Sequence, residues 1–108
     1  MGDMTEHEYT EAWRDSVAAA LRMALAESGV SRRALSRESG ISDNTLHRYF
    51  NAQRDLPLDV LLEVATFLNT TPDSIISMAQ AVFERRVGKT WGEYVLAAKR
   101  GEIEQEGE

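Results

Sequence analysis

The sequence predicts an all-α protein, and two observations support this prediction. Apolar residues recur at helical spacing in successive segments, and most of these segments lie between a helix-start signal and a residue suited to a left-handed turn. The start signals are Thr5, Ser31, Ser42, Thr71-Pro72 and Thr90, and the stop signals are Gly29, Gly40, Asn69, Gly88 and Gly101. The 108 residues suffice for one small domain with short appendages.

The first helix is predicted to run from about Thr5 to Ser28. Thr5 is followed three residues later by Glu8, which is a capping-box pattern, and Gly29 ends the segment. Trp13 belongs to the apolar face of this helix. We expect it to pack on the domain itself, with a contact to a partner protein as the alternative. Residues 1–4 are predicted to be disordered.

Residues 31–54 predict a helix, a tight turn and a second helix. Ser31 caps the first helix, Gly40 ends it in a left-handed conformation, and Ser42 caps the second, which is expected over 43–52. The two helices are predicted to close on a shared apolar seam of Leu35, Ile41, Leu46 and Tyr49. The opposite face of the second helix carries Asp43, Asn44, His47, Arg48 and Asn51. Two short helices of this kind fit a DNA major groove.

The polar face of the second helix offers candidate base contacts. Asn44 suits adenine N6 and N7 and Arg48 suits guanine O6 and N7, each pair contributing about 1–3 kcal/mol of discrimination. Asp43 could accept a hydrogen bond from cytosine N4 or stabilise the helix N-terminus by its charge, and we favour the second. His47 could contact a base or the backbone, or have no role. Thr45 could reach a phosphate or a thymine methyl group.

The run L-S-R-E-S-G-I-S-D-N-T-L-H-R-Y-F-N-A-Q-R, followed by the L-P-L-D-V-L-L-E-V-A-T-F-L-N helix, resembles the helix-turn-helix domain of the lambda Cro and phage repressor type, the XRE family. The match is continuous from about residue 17 to 76. It implies a five-helix lambda-repressor-like domain, assigned here to 5–87, with an extended first helix and an additional C-terminal helix. The resemblance also implies DNA-backbone contacts by Arg32, Asn51 and Arg54, with Arg33 assisting.

Three positions depart from the family pattern. Ala52 stands where the family usually has glycine, which reduces the flexibility of the turn. Phe50 stands where an acidic residue is frequent, and it is expected either in the core or in a protein contact beside the DNA. Asp43 stands where glutamine is common, so the base preference can differ from that of the family.

Two further helices complete the predicted domain, and one more follows it. The segment 58–68 carries a broad apolar face of Leu58, Leu61, Leu62, Ala65 and Leu68, which we expect in the core. The next helix begins at Thr71-Pro72 and continues to about Val87. A C-terminal helix within 88–101 is predicted to mediate dimerisation through Trp91, Tyr94 and Val95. As the alternative, Trp91 and Tyr94 cap the domain's own core beside Trp13.

Charge is distributed unevenly along the chain. The formal net charge is −6, yet residues 31–54 hold five arginines against two carboxylates, and much of the acid lies at the two ends. This pattern predicts a basic surface with modest non-specific DNA affinity. Residues 102–108 are predicted to form an acidic disordered tail.

Other classes of protein are disfavoured. The chain has no cysteine, no apolar run long enough to span a bilayer, and an acidic rather than basic N-terminus. We therefore expect a soluble protein of a bacterial cytoplasm, associated with the nucleoid. No catalytic constellation is evident and only His7 could join His47 at a metal, so neither enzyme activity, nor a cofactor, nor a metal is predicted.

The functional prediction is a transcriptional regulator that binds an operator as a homodimer, most simply a phage or prophage repressor. The alternative is an antitoxin or adaptor that acts mainly by binding a protein, such as a toxin or a second regulator. An antirepressor would be the corresponding partner of a repressor. The acidic net charge and Asp43 favour the alternative, whereas Arg32, Asn44, Arg48 and Asn51 favour DNA binding.

Overall fold

The computed structural model describes residues 4–103, and six α-helices lie within this range. They are α1 (Glu6–Ser28), α2 (Arg32–Ser39), α3 (Asp43–Phe50), α4 (Leu58–Phe67), α5 (Pro72–Val87) and α6 (Trp91–Lys99). This confirms the all-α prediction of five helices followed by a C-terminal one. The predictions of disorder concern 1–4 and 102–108, and of these only residues 4, 102 and 103 are described.

The predicted helix boundaries are explained by their caps. Thr5 and Thr90 each form a complete capping box, in which the threonine hydroxyl accepts the N3 amide and a glutamate carboxylate accepts the threonine amide. Gly29 and Gly88 adopt left-handed φ angles of 73° and 70° at the ends of α1 and α5. The start of α5 is set by the Thr71 hydroxyl, which accepts a hydrogen bond from the Ser74 amide at 3.2 Å.

The core draws on each of the first five helices. α1 packs along α5, while α2 and α3 pack against each other and contact α4 and α1 respectively. One fully buried side chain from each helix meets at the centre: Leu21, Leu35, Leu46, Val64 and Ile75. Burial of side chains of this size stabilises the fold by about 1.5–3 kcal/mol each. Phe50 is 2% exposed, so it is a core residue rather than a surface contact.

The predicted apolar face of α4 is wrong at two positions. Leu61, Ala65 and Leu68 are buried as expected, but Leu58 is 83% exposed and Leu62 is 58% exposed. The buried face is continued by Val64 instead, because α4 is rotated so that the row 61, 64, 65 and 68 faces inward. Leu62 lies about 100° around the helix from Leu61, and Leu58 lies in the first turn, where the helix begins.

A cluster of aromatic rings joins α1, α5 and α6. Phe83 of α5 lies between Trp13 and Tyr94, with ring centroids at 5.7 Å and 5.4 Å and nearly perpendicular planes. Tyr9 packs on Tyr94 at 5.0 Å, and Trp91 packs on Phe83 at 6.0 Å. Edge-to-face pairs of this kind contribute about 0.5–1.5 kcal/mol beyond area burial. Trp13 therefore packs on its own domain, as predicted.

Within residues 4–103, none of the helices combines the length and apolar character needed to cross a membrane.

Candidate nucleic-acid interface

Local hydrogen bonds hold α2 and α3 in the helix-turn-helix arrangement. The Ser31 hydroxyl accepts the Ala34 amide at 3.0 Å, and the Ser42 hydroxyl accepts the Thr45 amide at 3.1 Å, so both predicted caps are confirmed. Gly40 ends α2 with a φ of 79°. The Ser36 hydroxyl donates to the Ile41 carbonyl at 2.6 Å, which closes the turn between the helices.

The helix predicted over 43–52 ends earlier, at Phe50. Ala52 adopts a left-handed φ of 59°, and the Gln53 amide donates to the Arg48 carbonyl at 2.8 Å. Many helices end in this way, with a left-handed residue just past the last turn and a hydrogen bond that spans it. Asn51 is therefore the C-terminal cap of α3 and Arg54 lies beyond the helix.

Two of the predicted base-reading side chains project outward without an intramolecular partner. Asn44 and Arg48 are exposed on successive turns of α3, and neither forms a side-chain hydrogen bond or ion pair within residues 4–103. Thr45 is partly buried, and its hydroxyl accepts a hydrogen bond from the Ser42 hydroxyl at 2.8 Å. Its own proton is available to an outside acceptor.

A second group of predicted contacts is joined into one network. Arg32 Nε donates to Asp43 Oδ1 at 2.9 Å and Arg32 Nη2 donates to Asp43 Oδ2 at 3.3 Å. The hydrogen bond from Arg32 lowers the pKa of Asp43 below its usual value. His47 and Asn51 extend the network along α3. Because Arg32 engages both Asp43 oxygens, the carboxylate is held toward α2, while the side chain remains 55% exposed.

Arg33 and Arg54 have different surroundings. Arg33 is exposed beside Arg32 and Asp43, with which it lines an open surface concavity. Arg54 instead lies over the ring of Tyr49, with its guanidinium carbon 5.7 Å from the ring centroid. It lines a groove of about 440 Å³ between α1 and α4. Arg54 therefore borders a different concavity from the one that Arg32 and Arg33 line.

Arg22 supports α3 and was missed by the sequence-based prediction. Its Nη1 donates to the carbonyl oxygen of Phe50, the last residue of α3. A cation at the C-terminus of a helix satisfies an orphan carbonyl and interacts favourably with the helix dipole. The two residues are 28 positions apart, and no local pattern in the sequence indicates this contact.

The predicted dimerisation residues lie away from these polar groups. Tyr94 packs against Tyr9 and Phe83 of the same chain. This corresponds to the alternative prediction for α6, in which Tyr94 caps the domain's own core. Trp91 contacts Phe83 but remains 42% exposed, and Leu96 on the same helix is 52% exposed. Dimerisation through α6 stays a prediction, with Trp91 and Leu96 as its most accessible apolar side chains.

The fold and this surface define a helix-turn-helix protein. Two short helices meet at a tight turn, the second presents an amide and a guanidinium at its surface, and the first begins with two arginines. These are the elements with which such proteins approach a major groove and the adjoining phosphates.

Comparison with known proteins agrees with this definition. A family model described as Helix-turn-helix matches residues 21–75, which is half of the chain, so the protein belongs to the XRE-type helix-turn-helix family of DNA-binding transcriptional regulators. Among solved structures, the crystal structure of the clp gene regulator ClgR from Corynebacterium glutamicum has a similar fold, with a TM-score of 0.67 and 22% identity. The likeness covers 81% of this chain and 93% of that chain. No curated protein matches the sequence.

Proposed function

We propose that the protein regulates transcription by binding an operator as a homodimer, with α3 in the major groove of each half-site. The observation that carries this proposal is the exposure of Asn44 and Arg48 on successive turns of α3, where neither side chain has an intramolecular partner within the described residues. Both side chains form bidentate pairs with bases, adenine for Asn44 and guanine for Arg48. Arg32, Arg33 and Arg54 are the proposed backbone contacts, and they fix the position of the protein on the duplex.

The simplest regulatory outcome is repression, in which the bound dimer blocks RNA polymerase at a promoter, as a phage or prophage repressor does. Two half-sites about 34–36 Å apart would suit a two-fold symmetric dimer. The acidic net charge limits binding to arbitrary DNA, because phosphate neutralisation supplies most of the non-specific affinity.

The test is selection of bound sequences from a random duplex library with the full chain at moderate salt. We expect enrichment of an inverted repeat, which the Asn44→Ala/Arg48→Ala variant does not enrich. Arg48→Ala alone should lose preference at one base pair per half-site, equivalent to about 1–3 kcal/mol. Arg85→Ala is the matched control, since Arg85 is an exposed arginine in the last turn of α5. Unchanged preference in Arg48→Ala would remove this residue from base readout.

A second candidate function is binding of a partner protein, as in an antitoxin or an adaptor. The exposure of Leu58 and Leu62 on one side of α4 favours it, because adjacent exposed leucines are a feature of interaction surfaces. Absence of any enriched sequence, with protein shown to be folded, would favour this candidate over DNA binding. Loss of captured partner in Leu58→Ser/Leu62→Ser would then identify the surface.

A further inference from the structure

A chain of hydrogen bonds runs along one side of α3 from its first residue to its cap. Asp43, His47 and Asn51 are spaced four residues apart and therefore form one row. Arg32 of α2 contacts the first two, since its Nη1 lies 3.2 Å from His47 Nδ1 in addition to its bonds with Asp43. The side-chain nitrogen of Asn51 lies 3.2 Å from the same Nδ1 atom.

The orientation of the Asn51 amide follows from a separate contact. Its side-chain nitrogen donates to the His47 carbonyl oxygen at 2.8 Å. A carbonyl oxygen only accepts, so the amide must present its NH2 group to His47. The second proton of the same NH2 group is available to His47 Nδ1, which lies 3.2 Å from the Asn51 nitrogen.

Two donors at one ring nitrogen determine the tautomer of His47. The guanidinium of Arg32 and the NH2 group of Asn51 have protons to donate and no lone pair to offer. Nδ1 must therefore be the unprotonated acceptor, and in the neutral ring the proton lies on Nε2. His47 is exposed, so this N–H is available to a partner outside the chain.

We propose that His47 is a specificity-determining residue that donates from Nε2 to a guanine, and that Arg32 and Asn51 act on it as positioning residues. The major-groove edge of guanine offers the acceptors N7 and O6, whereas cytosine at the same edge offers the N4 donor. A ring whose outer nitrogen is fixed as a donor therefore disfavours cytosine. Adenine N7 and thymine O4 also accept, and guanine is favoured because it alone presents two acceptors at this edge. The proposal rests on the proposed DNA-binding function and assigns a further base contact to it.

The same network gives Asp43 a role that does not involve a base. Its two oxygens are engaged by Arg32, so it holds the guanidinium in place, and we assign it this role rather than a contact with cytosine N4. Of the five N–H donors of a guanidinium, Asp43 and His47 engage three, which leaves two for a phosphate oxygen. Asp43 is therefore a positioning residue for a phosphate contact.

The first test uses the free protein and does not depend on DNA. Long-range proton–nitrogen NMR, at a pH where the imidazole is neutral, identifies which ring nitrogen carries the proton. We expect the Nε2–H tautomer of His47 in the native chain, and a several-fold rise of the Nδ1–H population in Arg32→Ala/Asn51→Ala. His7 is the internal control, because it contacts Glu11 at 3.1 Å and not this network. Equal tautomer populations in the native chain and the variant would overturn the network.

The second test is base selection with a double-mutant cycle. His47→Ala should lose a guanine preference of roughly tenfold, equal to about 1.4 kcal/mol, at one base pair per half-site. Asn51→Ala should weaken the same preference in the native chain and have no further effect on it in the His47→Ala background. An equal loss of affinity for all sequences in both backgrounds would make Asn51 a simple backbone contact and contradict the proposal.

Asp43→Asn separates the two roles considered for the carboxylate. If Asp43 is a positioning residue, the variant should prefer the same base as the native chain at each position. Its non-specific affinity should rise, because a negative charge near phosphate is removed. A new preference at one base pair would show that Asp43 reads a base and would overturn its assignment. If the native chain enriches no sequence at all, the proposed function and the guanine contact fail together, and the NMR result still decides the network.

Discussion

At the scale of single residues, Ala52 is the position where the sequence conflicts most with the backbone it adopts. Its φ of 59° belongs to the left-handed region, which costs an L-residue with a Cβ atom about 1–2 kcal/mol. The conformation is required because it ends α3 and allows the Gln53 amide to reach the Arg48 carbonyl. The family prefers glycine here for the same reason.

We predict that Ala52→Gly stabilises the protein. The strain energy that glycine relieves is larger than the free-energy cost of the extra conformational entropy that glycine loses on folding. The free energy of unfolding should therefore rise by about 0.5–1 kcal/mol. Urea denaturation followed by circular dichroism measures the change. Ala26→Gly is the matched control: Ala26 is exposed in the last turn of α1, where the backbone is right-handed, and there glycine should cost up to about 1 kcal/mol. A loss of stability in both variants would contradict the strain at Ala52.

The residue scale also shows where sequence-based prediction of the site stops. Ser31 and Ser42 were predictable because an N-cap hydroxyl accepts the amide three residues further on. Gly40 was predictable because a helix often ends at a left-handed glycine whose amide bonds a carbonyl four residues back. The Arg22 contact with Phe50 and the pairing of Arg32 with Asp43 join separate helices, so no local spacing indicates them. The sequence therefore indicates Asp43 as a polar residue of α3, but only the structure shows that its carboxylate is held toward α2.

At the scale of elements, α4 illustrates a different limit. Its sequence contains more apolar positions than one buried face can hold, and spacing alone cannot select which of them face inward. Leu61 and Leu62 are the same residue type and differ only by their angle around the helix. Leu61 is buried, whereas Leu62 is 58% exposed. The choice is made by the packing of the neighbouring helices.

The start of α6 should depend on pH. Hydrogen bonds from the Thr90 amide and side chain lower the pKa of Glu93. A carboxylate with a lowered pKa stabilises the fold above its unfolded pKa, and that contribution is lost as pH falls through the folded value. We therefore expect α6 to loosen in acid, detectable as chemical-shift changes of its backbone amides.

Glu93→Gln is the matched control for this prediction. Glutamine retains an oxygen that can accept the Thr90 amide but does not titrate in acid. The variant should show a smaller pH response in α6 and the same response elsewhere in the chain. Identical responses of the two proteins in α6 would contradict a role for Glu93 ionisation.

At the scale of the whole molecule, the segments outside the family match form one packing unit. The match covers residues 21–75, whereas Tyr9, Trp13, Phe83, Trp91 and Tyr94 all lie outside it. The extension of α1, the second half of α5 and the whole of α6 are therefore joined by their aromatic rings. Trp13, Trp91 and Tyr94 were predicted to lie on helices, but whether they meet within one chain or across a dimer axis was left open, because residue spacing does not distinguish the two.

Exposed apolar side chains on α6 and α4 define two candidate surfaces for self-association. One is on α6, where Leu96 is 52% exposed, and the other is on α4, where Leu62 is 58% exposed. If α6 is the dimer element, Leu96→Glu should place an unpaired carboxylate in the interface and weaken association by at least tenfold. Sedimentation equilibrium of the full chain measures this directly.

Leu62→Glu is the matched comparison, because both leucines are exposed helix residues and neither substitution opens a cavity in the core. Loss of association in Leu96→Glu alone, together with loss of operator affinity, would support the α6 dimer, since two half-sites are bound with high affinity only while the protomers remain joined. Loss of association in Leu62→Glu alone would show that the interface lies on α4 instead. In that case the aromatic cluster would serve only to fasten α6 to its own chain.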